Sequence, residues 1–235
     1  MGYSVGVVTA GSREVEVLRE LPKTTVISLN ARASTSFENV YGPGGRQQLL
    51  RALAPRIPAE LVPPEWHTCP TVLLAPVANE VPPTLARSFG GSMVGVCAQG
   101  YLRRLMVGKQ VHCQVWDRPE KVLSHVVAAI FSEEDLGWQT PGWLQHPGPV
   151  FVMTRGAAGC ELIHDGRRRF VEGCPAEEID STGAGDVFAA AFMLRLRESR
   201  DPLEAAGFAN RVAAYSVTAP GIQALDALAG LPTAS

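Results

Sequence analysis

Five short runs rich in aliphatic and β-branched residues, near Val5–Val8, Val72–Ala75, Met93–Val96, Val126–Phe131 and Val150–Met153, alternate with stretches of helical period. That alternation predicts an α/β fold, a central and mostly parallel sheet between helices. Helices are expected over Gln47–Leu53, Thr84–Ser88, Arg118–Ser124, Ala184–Arg197, Leu203–Val217 and Ala224–Ala229. Two segments break the pattern. Thr24–Leu29 and Ser34–Tyr41 carry Val26, Ile27, Phe37, Val40 and Tyr41 among Thr and Ser, which suits neighbouring extended strands in a small sheet outside the main one. Asp165-Gly166, between Cys160–His164 and Arg168–Val171, favours the positive φ of a tight hairpin turn. The Pro/Gly-rich stretches Pro55–Pro64 and Gln139–Pro149 read as connecting loops, so one domain is expected over 1–235, with a small β lid at about 24–42.

Composition narrows the partners. The chain has 235 residues, 46 % hydrophobic and 19 % charged, with a formal net charge of −2. It has the material for a substantial core, and neither a nucleic-acid nor an anionic-membrane partner is expected. The basic cluster Arg167-Arg168-Arg169 reads as a solvated turn. Cys69, Cys97, Cys113, Cys160 and Cys174 are odd in number and contain no C-x-x-C pair, which fits a reduced, cytoplasmic location. No stretch approaches a membrane span, and Met1-Gly2-Tyr3-Ser4 lacks a signal-peptide pattern. His67, His112, His125, His146 and His164 show no metal-ligand spacing, and Trp66, Trp116, Trp138 and Trp143 read as packing or loop anchors.

The chemistry concentrates in Asp180-Ser181-Thr182-Gly183-Ala184-Gly185-Asp186, a glycine-rich loop that opens an apolar helix. The first N–H groups of a helix lack internal acceptors and point outward with partial positive charge, so they can bind an anion. Gly183 and Gly185 remove side chains that would block it, and Asp186 in the first turn would stand beside the anion as a proton acceptor. An N–H cradle plus one base suits phosphoryl transfer. The alternative is a capped helix behind a tight turn, with Asp186 merely favouring the dipole.

Asp180-Ser181-Thr182-Gly183-Ala184-Gly185-Asp186-Val187-Phe188 resembles D-[ST]-T-G-A-G-D-x-F, the C-terminal motif of the PfkB, or ribokinase-like, carbohydrate kinases. Upstream, Thr154-Arg155-Gly156-Ala157-Ala158-Gly159 resembles the family's T-x-G-x-x-G, which lines nucleotide phosphates. Downstream, Gly207–Thr218 resembles the helix walling the adenine pocket, with Asn210 where relatives touch the base. The resemblance implies a ribokinase-like fold and transfer from ATP, with Mg²⁺, to a hydroxyl of a small sugar or cyclitol. Asp186 would be the general base, and Gly183, Ala184 and Gly185 the anion hole. Thr154, Gly156, Gly159 and Asn210 would hold the nucleotide. It also implies K⁺ at Asp180 and Thr182, completed by carbonyls of Ser216, Ala219 and Gly221. Two rival readings are a nucleoside kinase, which would carry an aromatic stacking partner in the lid, and a non-catalytic nucleotide-binding relative.

Within the family the chain is most similar to a branch containing inositol kinases. Thr35–Tyr41 resembles the strand that covers substrate there, and Cys97-Ala98-Gln99-Gly100-Tyr101-Leu102-Arg103 resembles D-x-Q-G-x-x-R with Cys97 in place of Asp. Asn39, Gln99 and Arg103 are the substrate residues this implies. Where the family has N-x-x-E, this chain has Ser132-Glu133-Glu134-Asp135. Asp135 replaces that Glu beside the hydration shell of Mg²⁺, or Ser132 caps a helix whose first turn carries these acidic residues. The family's first strand, diglycine segment and first lid strands have no counterpart before Val5, so either the lineage has lost that segment or the chain is truncated. Relatives pair through their lids, and an apolar face of Val26, Ile27, Phe37 and Val40 would need the cover that a homodimer supplies.

Overall fold

The computed structural model describes residues 3–13, 23–42, 45–137, 140–221 and 223–224. In chain order the strands and helices are β1 (Val5–Gly11), β2 (Thr24–Asn30), β3 (Ser36–Gly42), β4 (Gly45–Ala52), β5 (Thr71–Leu74) and β6 (Met93–Cys97). Next come β7 (Arg103–Arg104), β8 (His112–Cys113), α1 (Glu120–Leu123), β9 (Ala128–Ser132) and α2 (Glu133–Leu136). The C-terminal part holds β10 (Val150–Thr154), β11 (Gly159–His164), β12 (Arg167–Glu172), α3 (Ala184–Ser199) and α4 (Pro202–Ser216).

The main sheet has the order β12-β11-β10-β9-β6-β5. β5, β6, β9 and β10 run parallel, and β11 and β12 add an antiparallel hairpin at one edge. The apolar runs seen in the sequence are divided by the pleat between two cores. Val94, Val96, Ala129, Phe131, Phe151 and Met153 face one side, where Tyr101, Trp116, Trp143 and α1 cover them. Ala128, Ile130, Val150 and Val152 face the other, under α3 and α4. Phe192 of α3 is fully buried there and stacks on Phe188, with ring centroids 6.1 Å apart. Removing that ring leaves a cavity that packed backbone cannot close. Phe192→Ala is therefore expected to destabilise the fold by about 3–5 kcal/mol, read by urea denaturation. α4 is started by Asp201, whose carboxylate accepts the N–H groups of Leu203 and Glu204, with Pro202 in the first turn.

Several expectations need correction. Gln47–Leu53 is strand, not helix: β4 pairs antiparallel with β3 on one side, and on the other its backbone bonds residues 108–111. Long-range pairing overrides the helix propensity of its Gln, Leu and Arg residues. The two extended segments do not pair with each other. β2 pairs parallel with β1, which therefore lies outside the six-stranded sheet, and β3 pairs with β4. The chain turns between them, where the Ser12 N–H donates to Ser34 Oγ and the Ala54 N–H to Thr35 Oγ1. Val26 and Ile27 thus belong to one two-stranded sheet and Phe37 and Val40 to another, so they form no single sheet face. Thr84–Ser88 is part of a 3-10 turn, Pro83–Phe89, and the helix expected over Arg118–Ser124 is only the four residues of α1. Most of Ala224–Ala229, and Trp138, fall outside the described residues. Among the described residues no helix is long and apolar enough to cross a membrane.

Candidate active site

Parallel strands deliver the residues that follow them to one edge of a sheet, which is where open α/β sheets hold ligands. Thr154, the last residue of β10, is in register with Ser132, the last of β9, and Cys97 of β6 with Ile130. The segments that follow are Cys97–Arg103, Ser132–Asp135 and Thr154–Gly159. The N-terminus of α3 arrives at the same end, since Asp186 and Asp135 both act electrostatically on the buried Cys97 thiol, whose pKa is raised first by burial and further by these two carboxylates.

The glycine-rich loop is held by Asp180. One carboxylate oxygen accepts the Thr182 N–H at 2.9 Å and the other accepts the Gly221 N–H at 2.9 Å. These two N–H groups, Gly221 first, hold its pKa below the ordinary aspartate value. Gly183 then caps α3 with φ 81° and supplies no side-chain cap, and the Ala184 N–H donates to the Ser181 carbonyl at 3.2 Å. A Cβ at either Gly183 or Gly185 would meet nothing within 4 Å. The cradle is open.

Asp186 is solvent-accessible. The protein crowded around it nevertheless raises its carboxyl pKa by burial, while the Arg103 guanidinium pulls it back down. Arg103 also faces a second carboxyl. Its Nη2 is 3.7 Å from Asp135 Oδ1, with the two side chains only 11 % and 6 % exposed. Its guanidinium carbon also sits 5.8 Å from the Phe37 ring centroid on β3. Asp135 closes a capping box at the start of α2, its Oδ2 accepting the Ser132 N–H at 2.9 Å. Burial raises its pKa, and the Ser132 N–H, Arg103 and the Gln99 side chain oppose that shift.

Beside this pair opens a cavity of about 350 Å³ whose wall includes Gln47, Gln48, Arg103, Gln110, His112 and Asp135. Asn39 lies directly across β3–β4 from Gln48 and accepts its side-chain N–H at 3.1 Å. The expected residues Gln99, Arg103, Asp135 and Asp186 are therefore brought together, and Asn39 reaches the cavity wall through Gln48. Gln48, Gln110 and His112 were missed in the sequence. They become neighbours only because residues 108–111 run beside β4, and reading Gln47–Leu53 as a helix hid that pairing.

The donor-side residues divide differently. Thr154 Oγ1 donates to the Phe131 carbonyl at 3.4 Å, and Gly156 lies in open space. Gly159 is packed against the backbone of β12 and the residue after it. Asn210 is buried, with its Nδ2 donating to the carbonyls of Val171 at 3.2 Å and Glu172 at 2.9 Å, so its amide ties α4 to β12. Asn210→Ala strands those carbonyls and should cost about 1–3 kcal/mol in a denaturation experiment.

The fold and this edge of the sheet define a ribokinase-type α/β protein. Against solved structures, the chain matches a pyrophosphate-dependent kinase in the ribokinase family, complexed with a pyrophosphate analog and myo-inositol. The TM-score is 0.78 at 21 % identity, covering 97 % of this chain and 86 % of that one. Residues 126–228 match the pfkB family carbohydrate kinase model. It is 38 % identical over 88 residues to ribokinase of Bacillus subtilis (strain 168), an alignment covering 37 % of this chain and 28 % of that protein. It is 27 % identical over 221 residues to inositol 3-kinase of Zea mays, covering 91 % of this chain and 55 % of that protein. The chain thus spans little more than half the length of the maize relative.

Proposed function

We propose that the chain transfers a phosphoryl group to a hydroxyl of a small sugar or cyclitol, with Asp186 as general base. The observation that carries this reading is the juxtaposition at the start of α3. An accessible carboxylate stands in the first turn of α3, beside the open backbone of Gly183 and Gly185, and the Arg103 guanidinium is near enough to act on it. The acceptor hydroxyl gives its proton to Asp186 as its oxygen attacks phosphorus, and the N–H groups of Gly183, Ala184 and Gly185 stabilise the phosphoryl oxygens.

The polar cavity wall supports a polyol over a nucleoside. Among the described residues it holds amides from Gln47, Gln48 and Gln110 but no Phe, Tyr or Trp, and Phe37 of β3 lies against Arg103. On the family resemblance the donor is ATP, across Thr154–Gly159 and α4. Pyrophosphate is the second reading, favoured by the commitment of both Asn210 amide hydrogens to backbone carbonyls rather than to a base. Asp180 and Thr182 offer oxygen ligands suited to K⁺, with Gly221 drawn beside them by its hydrogen bond to Asp180. Mg²⁺ would be held by the donor's own phosphates and water, since among the described residues no three His, Cys, Asp or Glu side chains gather to hold a metal.

The test is consumption of ATP and of pyrophosphate by the purified chain against sugars, inositols and nucleosides. Turnover with one acceptor class, absent in Asp186→Asn, is the expected result. Binding of a donor without turnover of any acceptor would replace the kinase with a non-catalytic relative.

A further inference from the structure

Side chains alternate across a strand, so the β3–β4 pair has two faces. Phe37 and Asn39 share one of them with their cross-strand partners Leu50 and Gln48. Leu50 is fully buried and the Phe37 ring lies against the Arg103 guanidinium, so this face is turned toward the body of the protein. The other face carries the Glu38–Arg51 ion pair, both side chains about half exposed. Asn39 and Gln48 therefore stand on the inner face, and Gln48 shares the cavity wall with Arg103 and Asp135.

The two amides meet at a single point. Gln48 Nε2 donates to Asn39 Oδ1 at 3.1 Å, and among the described residues neither side chain has another hydrogen bond. A closed amide pair would also join Asn39 Nδ2 to Gln48 Oε1. That second contact is not made, which leaves one donor and one acceptor side by side. Flipping both amides exchanges their roles and leaves the same complement. The backbone behind Gln48 is fixed on both sides, because β4 pairs with β3 and the Gln48 carbonyl accepts the Val111 N–H at 2.8 Å.

We propose that the Asn39 and Gln48 amides together hold two hydroxyls on adjacent carbons of the acceptor, so that a vicinal diol is the feature this strand pair selects. This rests on the kinase reading above. A hydroxyl both donates and accepts. One of the two gives its hydrogen to the Gln48 side-chain carbonyl, and its neighbour receives one from the Asn39 amide. Asn39 and Gln48 are specificity-determining residues and take no part in the proton transfer to Asp186.

The experiment measures calorimetric binding and turnover of myo-inositol and D-ribose, then of the monodeoxy derivatives of whichever binds more tightly. The parent chain is compared with Asn39→Ala, Gln48→Met and the double variant, each with a melting curve. In the parent, loss of either of two hydroxyls on adjacent carbons is expected to weaken binding by about 3- to 10-fold, the worth of one ordinary hydrogen bond. Each single variant should cancel one of these two penalties, and the double variant both, while penalties at the remaining carbons persist. Because each amide orients the other, the double variant should lose less affinity for the full polyol than the product of the single losses. Sensitive hydroxyls on non-adjacent carbons, penalties that persist in the double variant, or a parent that binds neither polyol would overturn the proposal. If a variant melts early, the pattern of penalties in the parent decides alone. A parent that binds the polyol but consumes neither ATP nor pyrophosphate removes the kinase reading, and the same binding pattern then judges the diol contact by itself.

Discussion

Asp186→Asn should lower kcat by about 10²–10⁴ while leaving the protein at least as stable as the parent chain near neutral pH. The two halves of this expectation come from the same surroundings. Burial raises the Asp186 pKa above the ordinary carboxyl value of about 3.9, so between the unfolded and folded values the native state binds the extra proton. Stability from this group therefore falls as pH rises through that window, and above it the fold carries the whole cost of holding the charge. Asparagine removes the charge with little change in shape. The melting temperature of Asp186→Asn should match or exceed that of the parent at pH 7, with the difference closing below the ordinary carboxyl range. The raised pKa also places the acid limb of the parent's kcat/KM profile above that range, because the base must be ionised to accept a proton. Retained turnover in the variant would remove Asp186 from the chemistry. A clear loss of melting temperature would mean the carboxylate is held by structural partners.

The parts of this site that were legible in the sequence are those fixed locally. The loop Asp180–Gly183 carries its own logic, since an aspartate accepting the N–H two residues on, a glycine at positive φ and an apolar helix follow from neighbouring residues alone. Ser132 likewise caps α2 as its alternative reading had it, and Asp135 completes the cap by accepting the Ser132 N–H. What stayed hidden depends on pairing across the chain. Leu49 bridges Gln110 over a sequence separation that no window of hydropathy spans, and that bridge with the backbone bonds of Gln48 and Leu50 to residues 108–111 places Gln48, Gln110 and His112 on one cavity wall. Nor does spacing show which oxygens of Asp135 are already taken. The motif names the residue, but Arg103, Gln99 and Ser132 decide what its charge is free to do.

The two glycines of Thr154-Arg155-Gly156-Ala157-Ala158-Gly159 should behave differently when each is replaced by alanine, although a phosphate-binding motif treats them alike. Gly156 has φ 55° and nothing within 4 Å of an added Cβ, so alanine there meets only the left-handed backbone cost of about 1–2 kcal/mol. Gly159 has φ 114°, and its added Cβ would overlap the Val171 carbonyl oxygen and the Gly173 nitrogen, and lie 2.7 Å from the Glu172 carbonyl carbon. All three are main-chain atoms, which cannot turn aside as a flexible side chain can. Overpacking of about 1–3 kcal/mol then adds to backbone strain of about 1–3 kcal/mol, so Gly159→Ala should lose about 2–6 kcal/mol in urea denaturation. The strand it pushes away is held from behind by Asn210, which donates to the carbonyls of Val171 and Glu172. Displacing β12 therefore breaks the α4 clamp as well, and Gly159→Ala combined with Asn210→Ala should cost less than the sum of the two. Donor affinity, measured by calorimetry on whatever fraction stays folded, gives the other half of the distinction. If Gly159→Ala melts like the parent but loses donor binding, the glycine serves the phosphates. If it melts early while Gly156→Ala stays stable and loses donor binding, the motif is split: Gly159 lets the hairpin close, and Gly156 leaves the open backbone over which the donor lies.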